Sequence, residues 1–134
     1  KILNTNTMDQ ISNMLISIKN AGLVKRATVI IPASKMKMAI LELLKQEEYI
    51  KTYHLTEGDK PKIEVVLLYK NNDPRINGVT RISKQSKRVY TGVKEISPVK
   101  YGHGMSVIST PKGILSDKLA RKEQVGGEVL FTIW

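Results

Sequence analysis

The chain contains no cysteine, and its 134 residues include only one phenylalanine and one tryptophan. Without cysteine, neither a disulfide framework nor a thiolate metal site is possible. With so few large aromatic side chains, the core must be aliphatic. The longest apolar run has five residues, 65–69, far short of the ~20 residues of a membrane span, and no apolar core follows Lys1 as in a signal peptide. We therefore expect a soluble intracellular protein.

Acidic residues are also few, since 12 Asp and Glu stand against 22 Lys and Arg, and the formal net charge at pH 7 is +10. Hydrophobic residues make up 41 % of the chain, which suits a globular fold and not a disordered one. Such a cationic excess on a short chain predicts a polyanionic partner, most commonly nucleic acid. The alternative is that the charge only keeps the protein soluble.

The first half of the chain shows two helical patterns with a strand between them. Thr7 and Gln10 have the spacing of a capping box, and the apolar face of the helix that follows is formed by Ile11, Met14, Leu15 and Ile18. "ATVIIP" (27–32) is typical of a strand that ends at a proline. Ser34 is placed as the N-cap of a second helix, whose apolar face is formed by Met36, Ile40, Leu43 and Leu44.

Two strand-like runs follow the second helix. "YIKTYHLT" (49–56) and "KIEVVLLY" (62–69) are separated by a turn signal, so we expect an antiparallel hairpin. The first half is then α-β-α-β-β. The polar, turn-rich "KNNDPRING" begins at residue 70, and we place a domain boundary there, with an N-terminal α/β domain at 1–70 and a C-terminal mainly-β domain at 71–134.

The second half is mainly strand. "GVTRIS" (78–83) and "KRVYTG" (87–92) predict short strands around the basic turn "KQSK", 93–104 is mostly loop, and "MSVIST" (105–110) is another strand. The overall expectation is an α+β protein, with the α-β-α-β-β half packed on a mainly-β half that has one short helix.

The C-terminal residues predict that one short helix and a last strand. Ser116 is placed to cap a helix that runs to about Gln124, and Gly126-Gly127 is expected to end it in a left-handed conformation. The closing strand "EVLFTIW" (128–134) would place Val129, Phe131 and Ile133 on one face.

Four cations gather around the expected hairpin tip in the second half. They are Arg81, Lys84, Lys87 and Arg88, and Tyr90 follows them. A basic turn on a strand pair makes a good phosphate contact. The alternative is a solvated loop tip.

Signals for catalysis or metal binding are weak. His54 and His103 are the only histidines and do not have metal-ligand spacing. Ser109 and Lys112 match the S-x-x-K pattern of serine-lysine acyl enzymes, but Pro111 and Gly113 disfavour the helical turn that such a pair requires. We expect no catalytic residue, no metal and no cofactor, and keep a Ser109/Lys112 hydrolase as a minor alternative.

The same segment, "STPKG", is expected as a polar loop between a strand and a helix. Hydroxyls both donate and accept hydrogen bonds, so such a loop can contact base edges, ribose hydroxyls or phosphates. An ordinary strand-to-helix turn explains the same residues equally well.

Three blocks of the chain look like the signatures of a known family, in the family's order. They are "IPASKMKMAILELLKQEEYI" (31–50), "RISKQSKRVY" (81–90) and "VISTPKGILSDKLARKEQVGGEVLFTIW" (107–134). "MDQISNMLISIKNAG" (8–22) is similar to the family's N-terminal helix. On these residues the chain resembles the eighth protein of the small ribosomal subunit, the S-eight family, in its bacterial form.

The resemblance implies a non-enzymatic, structural constituent of the small ribosomal subunit. The protein would bind an internal loop in the central domain of the small-subunit ribosomal RNA, support assembly of the platform and contact neighbouring ribosomal proteins. In bacteria the family can also bind its own operon messenger RNA and repress translation, so a translational regulator stays open as the alternative. The expected location is cytoplasmic, in the ribosome, with an organellar ribosome as the other possibility and no membrane partner.

Carried over by motif, Ser109, Thr110, Lys112 and Gly113 would lie against the internal loop of the RNA. The family usually has Ser where this chain has Pro111, so a contact at that position is not expected.

The remaining site residues implied by the resemblance lie in the other two blocks and near the C-terminus. Glu128 would accept hydrogen bonds in or beside the site. Ser34 and Lys35 would approach the RNA backbone or minor groove. Stacking and phosphate contacts would come from Tyr90, Lys84 and Arg88.

Overall fold

The computed structural model describes residues 7–84, 86–96 and 104–134, with side chains from residue 10 onward. The helices in these ranges are α1 (Thr7–Leu23), α2 (Lys35–Gln46) and α3 (Asp117–Glu123). The strands are β1 (Thr28–Pro32), β2 (Ile50–Thr56), β3 (Lys62–Leu67), β4 (Tyr69–Lys70), β5 (Asp73–Pro74), β6 (Val79–Arg81), β7 (Tyr90–Thr91), β8 (Met105–Thr110), β9 (Gly113–Ser116) and β10 (Gly127–Ile133). This order confirms the predicted α+β class, with an α-β-α-β-β first half and a mainly-β second half.

The chain divides into two compact units, the described part of Lys1–Ser12 with Gly78–Trp134, and Asn13–Asn77. The division at residue 70 stays a prediction. Residues 69–74 form the small hairpin β4–β5, in which Asn71 and Asn72 have φ angles of 53° and 69°. A two-residue hairpin turn of this kind needs positive φ at both central residues, which asparagine tolerates.

In the Asn13–Asn77 unit, three antiparallel strands lie in the order β1-β3-β2. The predicted hairpin of β2 and β3 is confirmed, with Leu55 opposite Ile63, and β1 pairs with the other edge of β3, with Ile31 also opposite Ile63. Ile31, Ile63 and Val65 are buried, and so is Tyr49, so the apolar core of this unit is mostly aliphatic, as the composition leads us to expect.

Both predicted apolar helix faces are present, with one difference. Ile11, Met14, Leu15 and Ile18 of α1 are all buried; the proposed capping box at Thr7 lies outside the residues whose side chains are described. In α2, Ile40, Leu43 and Leu44 are buried together with Leu41, whereas Met36 is only half-buried.

The start of α2 combines a confirmed cap with a buried cation. Ser34 has extended backbone geometry, and its Oγ accepts a hydrogen bond of 3.2 Å from the Lys37 amide, which satisfies one of the helix's unpaired amides. The Lys37 side chain is buried, and its Nζ donates to the Pro32 carbonyl at 3.2 Å. Burial lowers the pKa of the Lys37 ammonium from its ordinary value of 10.5, because desolvation penalises the charged form.

The other unit is built around β10. One edge of β10 pairs with β8, which in turn pairs with β9, and the other edge pairs first with β7 and then with β6. The two short strands expected as a hairpin therefore do not pair with each other as strands, because each takes β10 as its partner. The expected loop at 93–104 begins with a 3-10 turn at Val93–Glu95, and 97–103 lie outside the described residues.

A β-bulge interrupts β10 between Val129 and Phe131. Val129 lies opposite Ile108 and Phe131 opposite Val107. Because neighbouring residues of β8 point to opposite faces of the sheet, Val129 and Phe131 do so too. The prediction that Val129, Phe131 and Ile133 share a face is therefore wrong for Val129, and Leu130, which the alternation would have placed outside, is buried.

Helix α3 begins as predicted and ends differently. Ser116 Oγ accepts from the Leu119 amide at 3.1 Å, and the buried Asp117 carboxylate accepts from the Ser106 amide of β8 at 3.1 Å. The left-handed residue at the end is Gln124 (φ 57°), not Gly126. Gly126 and Gly127 are needed for space instead: a Cβ would collide with the Thr91 carbonyl oxygen at Gly126 and with the Ser109 carbonyl oxygen at Gly127.

Replacing the buried cation of α2 should stabilise the protein. Lys37→Met removes an ammonium whose burial costs free energy, so we expect the free energy of unfolding at pH 7 to rise by on the order of 1 kcal/mol. Because the folded pKa of Lys37 lies below the unfolded one, the unfolded state binds more protons between them, and the wild type gains stability as pH rises towards 10.5. The advantage of Lys37→Met should therefore shrink between pH 7 and pH 10.

Urea unfolding at several pH values measures this difference. Lys35→Met, at an exposed neighbouring position, is the matched control and should change stability little at any of these pH values. A Lys37→Met variant that is less stable than the wild type at pH 7 would show that the bond to the Pro32 carbonyl outweighs the burial of the charge.

Candidate nucleic-acid interface

A row of side chains crosses the strands at one end of the β10 sheet. Glu128 of β10 lies directly opposite Tyr90 of β7 on one side and Ser109 of β8 on the other, and Ser109 lies opposite Ile114 of β9. Residues opposite one another in antiparallel strands share a face, with Cβ atoms about 5 Å apart. The sheet thus brings together the aromatic, carboxylate and hydroxyl groups that the sequence assigns to one site.

Tyr90 is the most accessible member of this row. It is 67 % exposed, whereas the neighbouring Glu128 side chain is only 13 % exposed. An exposed tyrosine on a sheet face, fixed by strand pairing on β10, presents its ring as a platform on which an unpaired base can stack.

The "STPKG" segment is a hairpin turn, not the strand-to-helix loop that the sequence predicts. Thr110 pairs with Gly113, so Pro111 and Lys112 are the two turn residues between β8 and β9, and α3 begins only after β9. The sequence did not indicate β9, because "GILS" is a short run between a glycine and a helix cap. Gly113 has a φ of 114°, a backbone conformation that favours glycine.

The Thr110 hydroxyl holds this turn together. Its Oγ1 donates to the Gly113 carbonyl at 2.8 Å and accepts from the Lys112 amide at 3.1 Å. Ser109 and Lys112 do not form a helical S-x-x-K pair, since Ser109 lies in a strand and the Lys112 Nζ is 3.4 Å from Glu123 Oε1. The turn therefore lacks the geometry that a lysine-activated serine requires.

Lys84, Lys87 and Arg88 belong to a tight turn that, together with Ser86, we call the basic loop. The Lys84 and Lys87 backbones exchange two hydrogen bonds, of 2.9 and 3.0 Å, which close this turn, and Gln85 lies outside the described residues. Lys84, Lys87 and Arg88 are exposed. Arg81 is not at this tip: it lies in β6, where its side chain donates to Ser12 Oγ at 2.9 Å and to the Leu130 carbonyl at 2.6 Å.

Ser83 fixes the basic loop to the sheet, and the sequence analysis did not single it out. It is fully buried, its Oγ accepts from the Val89 amide at 2.8 Å and donates to the Val89 carbonyl at 3.1 Å, and its own amide donates to the Val129 carbonyl of β10 at 3.1 Å. The sequence around Ser83, a serine followed by a lysine, does not indicate this role, because the role depends on its hydrogen bonds to Val89 on the other side of the loop.

Two of the cations assigned to the site are paired with carboxylates. Arg88 Nη1 lies 3.3 and 3.4 Å from the two carboxylate oxygens of Glu128, and Lys112 pairs with Glu123. The other two assigned residues, Ser34 and Lys35, lie in the Asn13–Asn77 unit at the start of α2, where the Ser34 hydroxyl caps the helix and Lys35 is exposed.

Features of other functional classes are few in the described ranges. Within them, no three His, Asp or Glu side chains are grouped so that they could hold a metal ion, and none of the helices is both long and apolar enough to span a membrane. His54 is exposed on β2, and His103 lies outside the described residues.

Comparison with known proteins matches the chain to a known family. Residues 9–134 match the family model described as Ribosomal protein S8. Small ribosomal subunit protein uS8 of Caulobacter sp. (strain K31) is 44 % identical over 128 residues, covering 94 % of this chain and 97 % of that protein. The protein of the same name from Bradyrhizobium sp. (strain ORS 278) is 45 % identical over 130 residues, covering 96 % of this chain and 98 % of that protein. The one from Mycoplasma mobile is 48 % identical over 128 residues, covering 94 % of this chain and 96 % of that protein.

Removing the Ser83 hydroxyl should loosen the basic loop. Ser83→Ala leaves the partly buried Val89 amide without its partner, so we expect a loss of about 1–3 kcal/mol in the free energy of unfolding. Urea denaturation measures it as a lower midpoint with an unchanged m-value. The matched control is Ser86→Ala, since Ser86 is exposed in the same loop, and it should stay within about 0.5 kcal/mol of the wild type. Equal stability of the two variants would mean that the Ser83–Val89 bonds contribute nothing.

Proposed function

This chain belongs to the ribosomal protein S8 family, structural and non-enzymatic proteins of the small ribosomal subunit, and on that premise we propose that it binds an internal loop in the central domain of the small-subunit ribosomal RNA. The observation that carries this proposal is the cross-strand row of Tyr90, Glu128 and Ser109, flanked by the basic loop and by the Thr110–Gly113 turn. The net charge of +10 supports a polyanionic partner.

The row favours an irregular RNA element over a regular duplex. A-form RNA has a deep, narrow major groove that side chains cannot read, so proteins recognise unstacked bases in loops and bulges. Tyr90 offers such a base a ring, Ser109 offers it a hydroxyl, and the Glu128 carboxylate lies between them in the row. A flat row of this kind has nothing to stack on in a fully paired helix.

The cations have a different task, which is to neutralise phosphates. Lys84 and Lys87 are exposed on the turn that their own backbone hydrogen bonds close, and the structure gives their side chains no carboxylate partner among the described residues. Point charges of this kind contribute affinity without sequence preference. The exposed Lys35 acts in the same way from the other unit, and the uncharged Ser34 beside it approaches the RNA backbone or minor groove.

The hairpin turn acts through its shape. Because the Thr110 hydroxyl is already bonded to Gly113 and Lys112, it fixes the turn that presents Ser109 and the Lys112 backbone. The Ser109 hydroxyl and the Lys112 amide are short groups, so they contact the RNA only where its surface fits closely against the turn. Binding through them therefore depends on the shape of the RNA.

A messenger RNA carrying a similar internal loop would bind the same surface. We therefore keep the regulation of its own operon messenger as the second candidate function, and neighbouring ribosomal proteins as further partners. Co-sedimentation with small subunits in a gradient separates a ribosomal constituent from a free regulator.

The affinity of the protein for an RNA hairpin that contains the internal loop, which we call the loop RNA, should fall steeply as the salt concentration rises. If roughly six phosphate contacts form, the affinity falls about a thousandfold between 50 and 200 mM salt. Filter binding or fluorescence anisotropy with an RNA hairpin containing the internal loop measures the slope. An affinity that barely changes over this range would contradict phosphate neutralisation as the main source of binding.

Changes in the turn and in the basic loop should separate specificity from affinity. Thr110→Ala removes the hydroxyl that shapes the turn. It should weaken binding of the loop RNA, relative to binding of a fully paired duplex, by about 1–3 kcal/mol, and leave the dependence of affinity on salt unchanged. Lys87→Ala should weaken both RNAs equally and make the slope shallower by about one unit. Thr110→Ser, which keeps the hydroxyl, is the control. If Thr110→Ala leaves the ratio of the two affinities unaltered, the segment is only a turn.

A further inference from the structure

The pair of Arg88 and Glu128 differs from the other ion pair of the site in its surroundings. Lys112 and Glu123 are both well exposed, at 54 % and 45 % of their side chains, and such pairs contribute little because water screens them. Glu128 is 13 % exposed and lies on β10 with a strand on each side. Its carboxylate is therefore held by the sheet, while Arg88, at 46 %, reaches it from the basic loop.

This arrangement leaves Arg88 with unused donors. One nitrogen, Nη1, contacts both oxygens of Glu128, and the structure gives Nε and Nη2 no partner among the described residues. A guanidinium carries five N–H donors in a planar fork. Anchored through Nη1, it keeps the rest of that fork available two residues away from Tyr90.

We propose that Glu128 is a positioning residue, which acts through Arg88: it fixes the guanidinium beside Tyr90, so that Arg88 serves the RNA as a directional hydrogen-bond donor and not as a phosphate counterion. This inference rests on the proposed RNA-binding function. It also explains why a carboxylate stands in the centre of a cationic surface, where alone it would repel RNA.

The inference predicts opposite effects on two RNAs. Glu128→Gln raises the net charge by one, so affinity for a fully paired duplex should rise slightly. The same substitution releases Arg88, so the preference for the loop RNA over the duplex should fall about tenfold, the value of one good bidentate arginine contact. A merely structural role would lower the melting temperature and leave this preference unchanged.

Glu123→Gln is the matched control. It makes the same change of charge beside a cation at nearly the same distance, 3.4 Å, but in an exposed pair. Both RNAs should bind it slightly more tightly, with the preference between them unchanged.

A double-mutant cycle distinguishes positioning from direct contact. The wild-type protein, Glu128→Gln, Arg88→Gln and the double variant, which has the wild-type net charge, are titrated with the loop RNA and the duplex, and their melting temperatures are compared. If Glu128 acts through Arg88, both single variants and the double variant lose the same tenfold of preference. If the two losses multiply to about a hundredfold, Glu128 contacts RNA itself and the inference is overturned.

Arg88→Lys supplies a test that leaves Glu128 in place, should its substitution prevent folding. Lysine keeps the charge but not the planar fork, so the salt slope should stay and the preference should fall as in Arg88→Gln. Full retention of the preference by Arg88→Lys would also overturn the inference. A wild-type protein that does not prefer the loop RNA to the duplex would refute the proposed function instead, which keeps the two failures distinguishable.

Discussion

The backbone pairing of β10 is the constraint on which the candidate interface depends. Its carbonyl and amide groups hold β8 on one edge and β7 and β6 on the other, and Ser83 adds the basic loop to the same strand. Gly127 permits this arrangement because any side chain there would collide with the Ser109 carbonyl oxygen. β10 thus pairs directly with the strands that carry Tyr90 and Ser109, and its backbone also bonds to Ser83 at the start of the basic loop.

Much of the fold could be predicted because the signals that determine it are local. Ser34 and Ser116 cap their helices as expected, since a serine hydroxyl and the amide three residues later are enough to define an N-cap. The hairpin of β2 and β3 follows from two alternating runs and a turn between them. The aliphatic core follows from a composition that offers little else.

The parts that were missed depend on pairing between distant segments. β6 and β7 look like a hairpin in sequence, yet each pairs with β10, whose partner residues lie 50–54 positions after those of β6 and 36–38 positions after those of β7. The role of Gly126 was assigned to its backbone freedom because a glycine after a helix is typical of a left-handed cap, whereas the space beside Thr91 is what requires it. Individual site residues came from the family resemblance; their arrangement as a row, and the pairing of Arg88 with Glu128, required the strand register.

The bulge in β10 shifts the alternation of side chains between the two faces of the sheet, so the residues before the bulge and those after it alternate independently. Phe131 and Ile133, after the bulge, share a face and are fully buried, whereas Glu128, before the bulge, belongs to the cross-strand row with Tyr90 and Ser109. Side-chain volume decides which substitutions are accepted after the bulge, where the residues are buried. Charge and shape decide it at Glu128, before the bulge. A designer who wished to retarget the row to another RNA could therefore change Glu128 and its neighbours Tyr90 and Ser109 without repacking the residues after the bulge, while keeping Gly127 as glycine.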